Sequence, residues 1–173
     1  MVPERFQDYF FNDRDYLPET YEVEDKEREQ LIRQLAALIT DDLGMAGKPK
    51  KISNAEPDFW LLDKLLTTEE VKFMLNFKKK RTVKLNAAEL AKRNQMSVEE
   101  ATEMAEGICR KALLEYDREN PEHEKRYFIP KWVVGSGEYM LMTGKLMEEH
   151  PEIATFFHYA SMVPVGKVVA NCR

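Results

Sequence analysis

The sequence predicts a mostly α-helical protein built around a winged helix-turn-helix, with a short two-stranded β wing and additional flanking helices. Three observations predict this. Capping boxes at Asn86-Ala87-Ala88-Glu89 and Ser97-Val98-Glu99-Glu100 sit at the spacing of two helices joined by a tight turn. Two strand-like runs, Leu113 to Tyr116 and Arg126 to Ile129, follow them, separated by a polar connection containing Asn120-Pro121. Apolar residues elsewhere recur at three- and four-residue intervals, the period of a helix with one buried face.

Composition sets the frame. The chain has 173 residues, 43% of them hydrophobic and 33% charged, enough to bury a core and stay in solution. It shows no apolar run of membrane-spanning length, and Met1-Val2-Pro3-Glu4-Arg5-Phe6 does not begin a signal peptide, so a cytoplasmic location is expected. Cys109 and Cys172, far apart in sequence, are expected to be reduced thiols. The net charge of -5 is uneven: the first thirty residues are strongly acidic, whereas the stretch from Lys48 to Arg93 is strongly basic, with Lys78-Lys79-Lys80-Arg81 at its centre.

In chain order, residues 1–47 read as an N-terminal extension followed by a helix. Aromatics and acids are mixed from Phe6 to Tyr21; a helix from Val23 to Leu43 then carries Leu31, Ile32, Leu35, Leu38 and Ile39 on one face and stops at Gly44. Gly44 to Pro57 is loop chemistry, and residues 48–162 form the body. Pro57 suits the first turn of a helix running to Leu66, and Thr67-Thr68-Glu69-Glu70 is a third capping box. The helix-turn-helix follows, with Arg93 to Met96 as its turn and Val98, Ala101, Met104, Ala105, Ile108 and Ala112 facing the core. Beyond the wing, Lys131 to Gly137 reads as a crossing loop, Glu138 to Glu149 as a Met-rich helix and Pro151 to Ala160 as a final helix. Residues 163–173 are a linker or tail.

Few residues nominate themselves for chemistry. The second helix of the motif presents Glu99, Glu100, Glu103 and Glu106, which oppose entry into a DNA groove, where affinity comes mainly from cations on phosphates. Contact with nucleic acid, the alternative reading, would fall to Lys78, Lys79, Lys80, Arg81, Lys84, Lys92 and Arg93. A solvated basic face explains the same residues. His123, His150, His158 and the two cysteines form no short ligand pair, so no metal site is expected. Gly135-Ser136-Gly137 lacks the third glycine and the βαβ context of a dinucleotide fingerprint and reads as a turn; Gly166-Lys167 lacks the glycine spacing of a phosphate loop. Cys109 is expected to be a small buried apolar residue, and no catalytic residue is assigned. Met140, Met142 and Met147 belong to the core or to an adaptable docking surface.

Residues 59–166 resemble the N-terminal winged-helix region of 4Fe-4S ferredoxin-type and FAD-dependent oxidoreductase proteins of anaerobic bacteria. The likeness lies in Phe59-Trp60-Leu61-Leu62-Asp63-Lys64-Leu65-Leu66-Thr67-Thr68-Glu69-Glu70, in the stretches Asn86 to Ala91 and Met96 to Met104, in Val133-Val134-Gly135-Ser136-Gly137-Glu138-Tyr139, in Pro151-Glu152-Ile153-Ala154-Thr155-Phe156-Phe157 and in Met162-Val163-Pro164-Val165-Gly166. The resemblance implies a winged-helix region preceding a redox module whose iron-sulfur cluster or FAD belongs to a downstream region or a partner. No cluster ligand carries over to a residue here, and Cys172 receives no such role. The expectation is a non-catalytic interaction domain of an electron-transfer system, with a redox protein module or subunit as partner and no membrane. A homo-oligomer is compatible with the sequence.

Overall fold

Asp25 starts the first helix by accepting the backbone N–H groups of Glu27 (2.9 Å) and Arg28 (3.1 Å) on its carboxylate, which satisfies two donors that a helix N-terminus leaves unpaired. This helix, α1, spans Lys26–Thr40 and buries Ile32, Leu35, Ala36, Ala37, Leu38 and Ile39. The computed structural model describes residues 21–40, 52–54, 56–78, 82–154 and 156–157. The expected N-terminal aromatic extension apart from Tyr21, the Gly44 stop, Lys79 to Arg81, Gly166-Lys167 and the tail with Cys172 lie outside these residues.

Two short helices pack against α1: α2 (Pro57–Leu65) and α3 (Thr68–Leu75). Pro57 occupies the first turn of α2, where its missing N–H costs no hydrogen bond, and Phe59, Trp60, Leu61, Leu62 and Leu65 are buried. The Thr67 hydroxyl accepts the Glu70 N–H (3.2 Å) while the Glu70 carboxylate accepts the Thr67 N–H (2.7 Å), so the capping box forms as its sequence predicts.

One side chain ties the three helices together. The Arg28 guanidinium donates to the Asp63 carboxylate (2.7 Å), to the Asp63 and Leu66 carbonyls (both 2.7 Å) and to the Thr68 hydroxyl (2.8 Å). It thus fills open carbonyls at the end of α2 and reaches the first residue of α3 from its seat on α1. The Tyr21 hydroxyl donates to the other Asp63 oxygen (2.6 Å), and burial with this carboxylate contact raises the phenol's pKa.

The next pair, α4 (Ala87–Asn94) and α5 (Val98–Arg110), pack against each other, each opened by a complete capping box, at Asn86/Glu89 and Ser97/Glu100. Their turn is tighter than the spacing predicts, because Arg93 and Asn94 remain helical and Gln95 reverses the chain in the left-handed region (φ 56°). Ala101, Ala105 and Ile108 are buried as expected, whereas Val98 is exposed and Met104 is half-buried. Asn94 accepts from Asn76 (2.7 Å) and Lys111 pairs with Glu70 (2.7 Å), joining this pair to α3.

Ala112, at φ 59°, turns the chain out of α5 into an antiparallel pair, β1 (Glu115–Asp117) and β2 (Arg126–Phe128). The register sets Glu115 opposite Phe128, Tyr116 opposite Tyr127 and Asp117 opposite Arg126. On the far side of β2, Leu85 forms a one-residue bridge to Tyr127, each donating its N–H to the other's carbonyl (2.9 and 2.8 Å). The described chain is therefore mostly helical with a small antiparallel sheet.

The expected crossing loop is helical instead. Trp132–Ser136 forms a π-helical turn leading directly into α6 (Gly137–Met142). The turn is fixed at both ends: the Trp132 indole donates to the Asp58 carboxylate on α2 (2.7 Å), and the Glu138 carboxylate accepts the Gly135 N–H (2.6 Å). Gly135-Ser136-Gly137 thus lies in helical backbone rather than in a free turn. A Cβ at Gly137 would meet the Phe157 ring at 3.2 Å and the Trp132 carbonyl at 3.3 Å, so any larger residue would push these neighbours back by a few tenths of an ångström. The expected single Met-rich helix breaks at Thr143 into α6 and α7 (Gly144–Glu149), and residues 152–154 and 156–157 are helical again.

Replacing Arg28 by Met strands the Asp63 carboxylate and two carbonyls. Urea denaturation is expected to show a loss of about 2–4 kcal/mol. Arg28→Lys should recover less than half of it, because an ammonium cannot span this fork of acceptors.

Candidate interaction surface

The polar face of α5 is less acidic than its sequence implies. Glu100 is consumed by the capping box, and the Glu106 carboxylate accepts from the Lys125 ammonium (2.5 Å) and from the Tyr127 hydroxyl (2.8 Å). Glu99 and Glu103 are exposed. The contacts of Glu106 fasten the β ribbon onto α5. The Lys125 ammonium also lies 4.2 Å from the Tyr116 ring centroid, so one cation serves both the carboxylate and the aromatic face.

The basic residues separate in a comparable way. Lys84 pairs with Asp117 (2.5 Å) and sits over the Phe128 ring, which ties it to the ribbon. Arg93 donates to the Asn76 carbonyl (2.9 Å), just past the end of α3 and two residues before Lys78. Lys78, Lys92 and Arg93 are exposed near the ends of α3 and α4. The exposed connection between the strands closes on itself and reaches the start of α4: Asn120 exchanges hydrogen bonds with the Glu124 backbone, and the Glu124 carboxylate accepts from the Asn86 side chain (2.9 Å).

Among the described residues no three His, Cys, Asp or Glu side chains gather as a metal-binding group. His123 lies in the inter-strand loop, and His150, at the end of α7, is 3.6 Å from Glu152. Cys109 is half-buried, and burial pushes its thiol up to about 12, which leaves it protonated and a poor nucleophile at neutral pH.

A concavity lies elsewhere, along β1. A groove of about 600 Å³ is lined by Glu115, Phe128, Pro130, Lys131, Glu138 and Tyr139. A second, of about 370 Å³, runs past Cys109, Ala112, Leu114 and Tyr116, and the two meet at Glu115 and Tyr139. Tyr116 and Tyr139 in these linings are nearly half exposed, and Met142, three residues beyond Tyr139 on α6 and outside both linings, is 78% exposed. Met140 in contrast is fully buried, so the Met-rich segment supplies both core and surface.

Glu115 is the unusual member of this lining. Its side chain is half-buried and has no hydrogen bond or ion pair among the described residues, and burial alone raises its carboxyl above the ordinary glutamate range. Gly135, Glu138 and Tyr139 of the lining belong to a stretch quoted for the family resemblance and Cys109 is expected as a buried apolar residue, but the sequence assigns none of them to a binding site. Alternation along β1 alone would have placed Glu115 and Asp117 on one face and Tyr116 on the other.

Comparison with protein-family models, with curated proteins and with solved structures finds no match to this chain. No helix among the described residues is long and apolar enough to cross a membrane.

The two glutamates should respond oppositely to substitution. The Lys125 hydrogen bond holds Glu106 below its ordinary pKa, so its stabilisation is complete above that ordinary value and is lost as pH falls through the lowered one. The raised value of Glu115 means that ionisation opposes folding at neutral pH, an effect relieved in acid. Glu106→Gln is expected to lower stability at pH 7 by about 1 kcal/mol, and Glu115→Gln to raise it. Both differences should vanish in urea titrations carried out below the carboxylate range.

Proposed function

We propose that this chain is a non-catalytic winged-helix interaction domain that docks against an iron-sulfur or flavin redox partner, carried either by a downstream region or by a separate subunit. The order of elements supports the winged-helix part. Helix α3, the single bridge residue Leu85, helices α4 and α5 and the β1–β2 ribbon follow one another as in such domains, with Leu85 on the far side of β2. The observation that carries the interaction reading is the pair of joined grooves beside β1, lined in part by the exposed Tyr116 and Tyr139, with the exposed Met142 three residues further along α6. Exposed aromatic and Met side chains around a concavity are the usual makings of a docking surface. The redox nature of the partner rests on the resemblance of residues 59–166 alone.

A second reading, a transcriptional regulator contacting DNA through the basic segment, draws on the exposed Lys78, Lys92 and Arg93. The exposed Glu99 and Glu103 on α5 weigh against it, since they would face phosphates.

Anaerobic purification of the tagged chain from its own cells should yield flavin or iron-sulfur absorbance in constant ratio to the chain across a sizing column. A colourless, iron-free product would contradict the redox reading. Duplex DNA binding at low salt, lost on replacing Lys92 and Arg93 by Ala, would instead favour the regulator.

A further inference from the structure

The hydrogen-bond pattern of the ribbon determines which of its edges is open. Tyr127 exchanges both of its backbone bonds with Leu85, so its N–H and C=O point away from β1. Tyr116 lies opposite Tyr127 and is therefore a non-hydrogen-bonded pair member, whose own N–H and C=O point out over the other edge. Neither group meets a partner among the described residues. The groove lined by Cys109, Ala112, Leu114 and Tyr116 runs beside this edge, with Tyr139 and Thr143 of the α6 region opposite.

We propose that the open edge of β1 accepts an extended, basic peptide segment of a partner protein as an added antiparallel strand, its cationic side chain meeting Glu115. This rests on the reading of the chain as an interaction module and specifies the chemistry of what it binds. Strand addition gives affinity through backbone hydrogen bonds and specificity through alternate side chains. A residue of the added strand opposite Tyr116 shares its face and enters the groove beside Cys109, Ala112 and Leu114, where an apolar side chain fits. Its neighbour opposite Glu115 falls on the other face, beside Phe128 and Glu138. There a carboxylate that has lost water and gained no partner calls for a cation, and Glu138 adds a second negative charge against the single positive charge of Lys131. Asp117, the next acid on that face, is already paired with Lys84, so one basic position is required.

Charge also argues against a second copy at this edge. Two-fold pairing centred on Tyr116 would set the Glu115 carboxylate of each copy opposite the Asp117 carboxylate of the other, which is destabilising in cross-strand pairs.

The test uses the full 173-residue chain, isotope-labelled, and a short capped peptide of alternating lysine and valine. Amide resonances of Tyr116 and its neighbours should shift on titration. A charge-reversed peptide with glutamate for lysine should not bind, nor should the lysine–valine peptide once N-methylated at alternate positions, which removes its donors without touching the protein. Glu115→Gln should weaken binding about tenfold while the far-ultraviolet circular dichroism is unchanged. Equal binding of the charge-reversed or N-methylated peptide would overturn the proposal, as would shifts confined to α4. Self-association of the free chain through Tyr116 would give the edge to a second copy and also overturn it. A chain that co-elutes with a redox partner yet ignores the peptide refutes the strand-addition site alone, whereas peptide binding without redox co-elution refutes only the redox partner.

Discussion

The reciprocal hydrogen bonds between Leu85 and Tyr127 are the constraint on which the surface depends. They consume the outer edge of β2 and fix the phase of the whole ribbon, because alternate residues of an antiparallel pair must point their backbone groups to opposite sides. Tyr127 is held in that position from a second direction, its hydroxyl donating to Glu106 on α5 while its ring is buried. With Tyr127 fixed, Tyr116 has no choice of direction. The edge left open lies beside the groove that Tyr139 and Thr143 also line.

The charges follow a related logic. Asp63, Glu70, Glu106 and Asp117 each lie within hydrogen-bonding distance of a basic side chain from a different element: Arg28, Lys111, Lys125 and Lys84. The first three of these pairs are half-buried and link the helices and the ribbon, and removing one partner there costs more than the pair contributes, since the other charge is left partly desolvated. They also take charges out of the surface account. Glu115 stands apart because it is desolvated without compensation, the condition in which an incoming cation gains most.

Local chemistry was legible in the sequence and long-range chemistry was not. All three capping boxes, at Thr67/Glu70, Asn86/Glu89 and Ser97/Glu100, form as read, because each is decided within four residues. The strand pair also appears close to its expected place. The Met-rich stretch misled because its period is helical on both sides of Thr143, and only the packing of Trp132, Phe156 and Phe157 around Gly137 reveals where α6 starts. Lys84 and Arg93 are exposed, as a solvated basic face requires, but the bonds they and Glu106 make to Asp117, Asn76 and Lys125 join residues distant in sequence, which no local pattern announces. The groove was invisible for the same reason: its walls come from the end of α5, both strands and α6.

Amide hydrogen exchange of the free chain tests the central claim most directly, because it reads the ladder's phase one residue at a time. With Tyr116 facing an open edge, its amide should exchange at close to the rate of an unstructured peptide while the Tyr127 amide is strongly protected. Comparable protection of Tyr116 and Tyr127 would mean that the edge is already covered, and would contradict the account.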